Sequence, residues 1–234
     1  MKPSQTKLSE IKRIYEENLA EKIQSNYVPF VARYGENYDG DKGLLFVGKA
    51  ENMADREKKN VNQKIDDAFG KIHGDYIETM SKKVTYPRSS FVRTLHRIAK
   101  QVEDKPGISH FARTNLYKLA TTKTHLFSSE FEAAYVDIFR KEIELLQPQY
   151  VVMLTSGLER DFLKHLGKSE TCAEVEFKYM NKGNEQKKTL RARKIEGFRS
   201  VFITALHPQG KPEGKYVEEI VNLISATNHL TATS

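Results

Sequence analysis

Four short runs of aliphatic and β-branched residues, each closed by a polar cluster, constrain this 234-residue chain more than anything else in it. Gly43–Gly48 runs into Lys49-Ala50-Glu51-Asn52, and Phe111–Leu116 carries Asn115 and leads to Lys118. Tyr150–Thr155 runs into Ser156-Gly157, and Val201–Leu206 into His207-Pro208-Gln209-Gly210. Runs that are apolar without strict alternation fit strands buried on both faces, as in a parallel sheet. Such a sheet sets its strand endings side by side, and open α/β sheets bind ligands outside the carboxyl ends of their strands. Residues far apart in the sequence are therefore expected to meet on one rim.

The segments between these runs supply helices. Leu8, Ile11, Ile14, Leu19 and Ile23 form an apolar stripe that predicts a helix over about 7–26. Tyr27–Tyr38 reads as an aromatic loop, and a helix is expected around 56–69, where Arg56–Lys59 fits a solvated face as well as a phosphate site. Ser90 precedes Phe91, Leu95, Ile98 and Val102, a stripe stopped by Asp104-Lys105-Pro106-Gly107. Ser129 with Glu132, and Ser156 with Glu159, have the spacing of capping boxes that open two further helices, the second reaching Leu166. Val175, Phe177 and Tyr179 alternate, as do Leu190, Ala192 and Lys194, which predicts a β-hairpin turning over Asn181–Lys188. Val217, Ile220, Val221 and Ile224 make a closing helix. The order β-α-β-α-β-α-hairpin-β-α implies one α/β domain spanning 1–234, with a mostly parallel sheet layered between helices.

Composition narrows the chemistry. With 38% hydrophobic and 29% charged residues the class is globular with a busy surface. No apolar stretch approaches the roughly 20 residues of a bilayer crossing. Met1-Lys2-Pro3-Ser4-Gln5 leads into no signal-like apolar core, so a cytoplasmic setting without a membrane partner is expected. The single cysteine, Cys172, excludes an internal disulfide and a four-cysteine zinc or iron–sulfur site; its neighbours alternate as a strand would, and it reads as an inert core or edge thiol. Neither a G-x-G-x-x-G fingerprint nor a P-loop is present, nor a G-x-S-x-G elbow that would make Ser156 a nucleophile rather than a helix cap. No cofactor or metal is expected, and a monomer is favoured. A net charge of +7 favours polyanionic partners through steering and counterion release.

Taken together the strand endings resemble those of the uracil-DNA glycosylase superfamily. The family's first strand ends in a motif like G-E-A-P-G or G-Q-D-P-Y; here Val47-Gly48-Lys49-Ala50-Glu51-Asn52 stands there. Its T-N-x-x-K pattern is matched by Thr114-Asn115-Leu116-Tyr117-Lys118, and its "lLkPkvivlLG" stretch by Leu145–Leu154. Its H-P-S loop is matched by His207-Pro208-Gln209. The resemblance covers about residues 40–228 and implies a three-layer α/β sandwich around a mainly parallel four-stranded sheet, acting on DNA without a cofactor.

It also implies roles. His207 would stabilise the departing base through preorganised electrostatics, though a histidine capping a loop also fits. Asn115, whose amide offers both donor and acceptor, would pair with a base edge, or close a strand-to-loop turn. Tyr86 would stack on the flipped base, or else pack in the core or lie exposed on the surface. Gly48, Lys49, Ala50, Asn52, Lys118, Pro208 and Gln209 would line the substrate site. Where relatives carry a water-activating carboxylate or its equivalent, this chain has Lys49 and Ala50; the carboxylate is displaced to Glu51, with Asp55 close by. Gln209 replaces the serine of the H-P-S loop, and Lys211 and Lys215 stand ready to contact phosphate in its place. Two functions follow: a base-excision glycosylase using Glu51 or Asp55 with Asn115 and His207, or a nucleobase- or nucleic-acid-binding relative that does not hydrolyse.

Overall fold

In the computed structural model the four apolar runs lie against one another as strands. The structure describes residues 4–24, 27–40, 43–49, 59–72, 89–103, 110–120 and 133–230. The strands among them are β1 (Val28–Pro29), β2 (Arg33–Tyr34), β3 (Leu44–Gly48), β4 (Ala112–Asn115), β5 (Leu119–Ala120), β6 (Tyr150–Leu154), β7 (Ser169–Asn181), β8 (Asn184–Ile195) and β9 (Val201–Ala205). The helices are α1 (Gln5–Asn18), α2 (Ala20–Gln24), α3 (Val61–Gly70), α4 (Ser90–Glu103), α5 (Ala133–Leu146), α6 (Glu159–Leu166) and α7 (Glu213–Ala226). The architecture is mixed α/β.

Seven strands form one sheet in the order β2-β4-β3-β6-β9-β8-β7. The four central strands, β4, β3, β6 and β9, are mutually parallel; β2, β8 and β7 are antiparallel to their neighbours. The sheet is thus wider than the expected four strands. Its hairpin is no appendage: β8 pairs with β9, supplying partners to backbone groups that a free edge would leave open. The register sets Gly48 beside Asn115, Val47 beside Met153 and Leu154 beside Ala205, so the parallel strands end level.

Every residue of β3, β6 and β9 is buried, as their largely apolar, non-alternating sequences predict. Alternate residues divide between two cores. Leu45, Val47, Val151 and Met153 pack with α1, α3, α5 and α6; Leu44, Phe46, Val152 and Leu154 pack with α4 and α7.

The expected helix over 7–26 is divided at Leu19, whose N–H still bonds the Tyr15 carbonyl. The two pieces keep Ile11, Tyr15, Leu19 and Ile23 fully buried, and the Tyr15 hydroxyl donates to the Phe30 carbonyl at 2.5 Å. The N-terminal helix is therefore part of the core. Two-residue strands β1 and β2 fall in the segment expected to be a loop, because strands so short leave no period to read. In the charged segment before α4, α3 opens on a reciprocal capping box between Asn60 and Gln63. The Ser129–Glu132 capping box lies outside the described residues.

The hairpin is longer and more tightly turned than its sequence predicts. Its strands pair out to Asn181 opposite Asn184, leaving only Lys182 and Gly183 in the turn. Both have positive φ (50° and 82°), as a type I′ turn demands, and glycine takes the second position without strain. Cys172 is exposed at a register shift between Thr171 and Ala173, so it occupies a β-bulge rather than the core.

Candidate functional site

Gly48 and Asn115 are paired at the ends of β3 and β4, and the loop after β4 is tied down there by bonds from Leu116 N–H to the Gly48 carbonyl and Tyr117 N–H to the Lys49 carbonyl. Glycine is needed at 48 for close approach: a Cβ would stand 2.6 Å from Asn115 Oδ1 and 3.1 Å from the Phe91 ring. Asn115 is only 6% exposed, and its amide nitrogen has no hydrogen-bond partner among the described residues. A buried donor left unmade costs about 1–3 kcal/mol. The side chain carries that cost where the ends of β3 and β4 and the Phe91 ring converge.

His207 leads the loop after β9. Its backbone N–H donates to Ser156 Oγ at 2.7 Å, which fastens the β9 loop to the β6 loop. Ser156 has φ 60°, and α6 begins only at Glu159; the serine is not a helix cap. Glu159 reaches back instead, accepting from the Gly157 N–H at 2.8 Å and from the Thr155 hydroxyl. The capping-box spacing was real, but Ser156 is turned into the left-handed region and spends its oxygen on the neighbouring strand end.

The imidazole of His207 is half-buried and stacked on Phe91, with ring centroids 5.7 Å apart and planes 15° from parallel. Burial first, then the positive charges of Lys49 and Lys211, push its pKa below the ordinary histidine value, which keeps it neutral at pH 7. The Gln209 N–H faces Nδ1 at 3.4 Å, so the proton of the neutral ring is assigned to Nε2. The site therefore holds a neutral Nε2–H donor against an aromatic face, with two lysines beside it. Lys211, also lowered by burial and by Lys49, bonds the Gln209 carbonyl at 3.0 Å. Neither Lys49 nor Lys211 has a carboxylate partner among the described residues.

Of the expected site residues, Gly48, Lys49, Asn115, His207, Pro208 and Gln209 stand at the same end of the sheet. Asn115 ends β4 and His207 follows β9, strands separated by β3 and β6, a span of about 14 Å at roughly 4.8 Å per strand. Phe91, at the start of α4, reaches from Gly48 to His207 and fills the interval. Its place in an apolar helical stripe made it look like a core residue; its position one step inside the helix start was the only hint otherwise. Ala50, Glu51, Asn52, Asp55 and Tyr86 lie outside the described residues.

Lys118 corrects the expectation that it serves the rim. It is 0% exposed, and its ammonium bonds Glu142 at 2.5 Å and Thr114 Oγ1 at 2.7 Å. Glu142 also accepts from the Thr114 hydroxyl at 2.7 Å and the Ala32 N–H at 2.8 Å. Burial draws the Lys118 pKa down while Glu142 opposes the shift. Four residues after Thr114, the lysine turns to the opposite face of the sheet from Asn115 and is consumed there as a structural ion pair.

A separate cavity of about 540 Å³ opens at the other end of the strands, among Asn37, Glu103, His110, Gln149 and Asn228. No group of three or more metal-ligating side chains occurs among the described residues, and no described helix is long and apolar enough to cross a membrane. No protein-family model matches the chain, and no curated protein matches its sequence significantly.

Proposed function

We propose that this chain is a divergent relative of the uracil-DNA glycosylases, a three-layer α/β sandwich that hydrolyses the N-glycosidic bond of a damaged base, uracil or one like it, in DNA. The observation that carries this reading is Asn115, a buried amide whose donor has no partner among the described residues, beside Gly48, Phe91 and a strand end. A base edge supplies the acceptor that donor lacks, and the ring of Phe91 supplies a stacking face. Lys49, Lys211 and the exposed Lys215 supply cations for phosphate. A cytoplasmic setting accords with the single thiol.

The chemistry asked of His207 is modest and matches its state. As the C1′–N bond breaks, its electron pair passes into the base and negative charge gathers on a carbonyl oxygen. A neutral Nε2–H hydrogen-bonded to that oxygen gains strength as the charge develops, which is what accelerates the step. Water then bonds to C1′ and yields its proton, a task that falls to Glu51 or Asp55. A second reading, binding without hydrolysis, is favoured by Lys49: a cation beside His207 occupies the motif position where relatives carry the water-activating group.

The test is abasic-site formation on uracil-, xanthine- and hypoxanthine-containing oligonucleotides. Wild type is expected to cleave at least one, and His207→Ala to lose about 10²–10³-fold in rate. Wild type that binds the base or the DNA yet yields no abasic product would leave the binding reading in place of the enzyme.

A further inference from the structure

The β7–β8 hairpin does not stop where the site does. Arg191 of β8 pairs with Thr204 of β9, so one step further brings Leu190 level with Ala205, the last residue of β9. Residues 184–189 and their partners on β7 run on past the rim, about 20 Å at roughly 3.3 Å per residue. The hairpin stands as a wall beside the His207 loop.

One face of that wall continues the site. Phe177, buried, packs on Tyr216 of α7, and Tyr179 stacks on Phe177 with centroids 5.1 Å apart and planes at 21°. Tyr179, Phe91 and Leu206 all pack against the same core. The Lys211 ammonium lies 5.7 Å from the centre of the Tyr179 ring, which joins the hairpin to the loop that carries His207. Lys188, opposite Phe177 in the ladder, presents a further exposed cation on that face. Beyond β9 the hairpin bears four lysines (Lys178, Lys182, Lys187, Lys188) against two glutamates (Glu176, Glu185). The one acid of the adjoining helix start, Glu213, is already held by Arg93 and Arg97, each at 3.1 Å.

A half-exposed aromatic ring flanked by cations that have no carboxylate partner among the described residues, at the lip of a site read as taking a base, has the chemistry of a stacking platform for an unpaired strand. We propose that the hairpin is a nucleic-acid arm: a single strand of DNA leaving the rim runs along its Tyr179 face, one base stacked on Tyr179 and phosphates against Lys211 and Lys188. This rests on the proposed function only in taking DNA to be what reaches the rim.

The probe is an undamaged, labelled oligothymidylate of about 12 nucleotides, long enough for typical single-strand site sizes, followed by fluorescence anisotropy over a range of salt. Tyr179→Ala is expected to weaken binding about tenfold or more, and Tyr179→Phe, which keeps the ring, to bind as wild type does. Replacing Lys188 and Lys211 by alanine, surface changes that leave the core untouched, is expected to lower the slope of log K against log salt by about 0.7 for each lysine. The proposal is overturned by affinity and slope unchanged in these variants, by Tyr179→Phe as weak as Tyr179→Ala, or by wild type that ignores the oligonucleotide. Loss of binding in the hairpin variants with no excision by wild type would sustain the arm and sink the glycosylase. Excision with unaltered binding in the hairpin variants would do the reverse.

Discussion

Thr114 and Asn115 are neighbours in the chain, yet they serve polar clusters of opposite kinds on the two faces of the sheet. On the α5 side Thr114 joins Lys118 and Glu142, where the lysine and the carboxylate are both fully buried and the carboxylate collects the ammonium, a hydroxyl and a backbone N–H. On the α4 side Asn115 is almost as deeply buried, but its amide nitrogen has no partner among the described residues, and beside it stand a glycine and the phenylalanine that stacks on the neutral His207. The first cluster is closed: any change breaks something. The second is open at that nitrogen, which no described residue closes. Saturation of polar groups, more than their depth, separates scaffold from site here.

The largest effect expected from this contrast is on the closed side. Glu142→Ala strands a buried ammonium, and losing one member of such a pair typically costs about 3–5 kcal/mol. A urea titration monitored by circular dichroism reads it; a loss under about 1 kcal/mol would mean the pair is not holding the fold.

The sharpest comparison uses the neighbouring positions directly. Thr114→Val removes a hydroxyl that Lys118 and Glu142 both use, and is expected to cost about 1–3 kcal/mol. Asn115→Leu, near in size, removes a donor that has nothing to lose, and is expected to change stability by no more than about 0.5 kcal/mol while abolishing base binding. If the asparagine variant unfolds as readily as the threonine variant, the open cluster is not open.

The smallest effect is a titration. The folded-state pKa of His207 lies below its ordinary 6.5, so its contribution to stability is complete above 6.5 and is lost as pH falls from there through the folded value. Function that needs the neutral ring should persist through pH 7 and fail only in acid. Proton NMR of the ring is expected to show a midpoint below 6.5, moving upward in Lys49→Ala because one repelling charge has gone. A midpoint at or above 6.5 in the unaltered chain would contradict the burial on which the argument depends.

The strand cores were readable because Leu44–Val47, Tyr150–Leu154 and Val201–Ala205 carry apolar residues on both faces, Thr204 alone breaking the last run, a pattern that fits burial on both faces. Their endings followed from the same fact. Less could be read where one sequence signal fits two geometries. Phe91 obeys the helical period that buries Leu95 and Ile98, and its place one step inside the helix start is the only local sign that its ring meets Gly48 and His207. Lys118 has the charge of a phosphate contact, and only the distant Glu142 shows that it turns inward. Ser156 has the spacing of a cap, but its partner is a backbone amide 51 residues further on. In each case the deciding contact is long-range, and spacing along the chain carries no trace of it.

The bulge at Cys172 has a consequence for how copies of this chain meet. β7 is the last strand of the sheet, and an outer strand of 13 residues is a template on which another chain can lay its own. The bulge breaks the regular spacing of backbone donors and acceptors near the start of that edge, and exposed Glu170, Glu174, Glu176 and Lys178 put charge along it. An incoming copy would have to match an interrupted ladder and bring its own glutamates toward these. What position 172 brings to this edge is thus one extra backbone unit, and the interruption owes nothing to its sulfur.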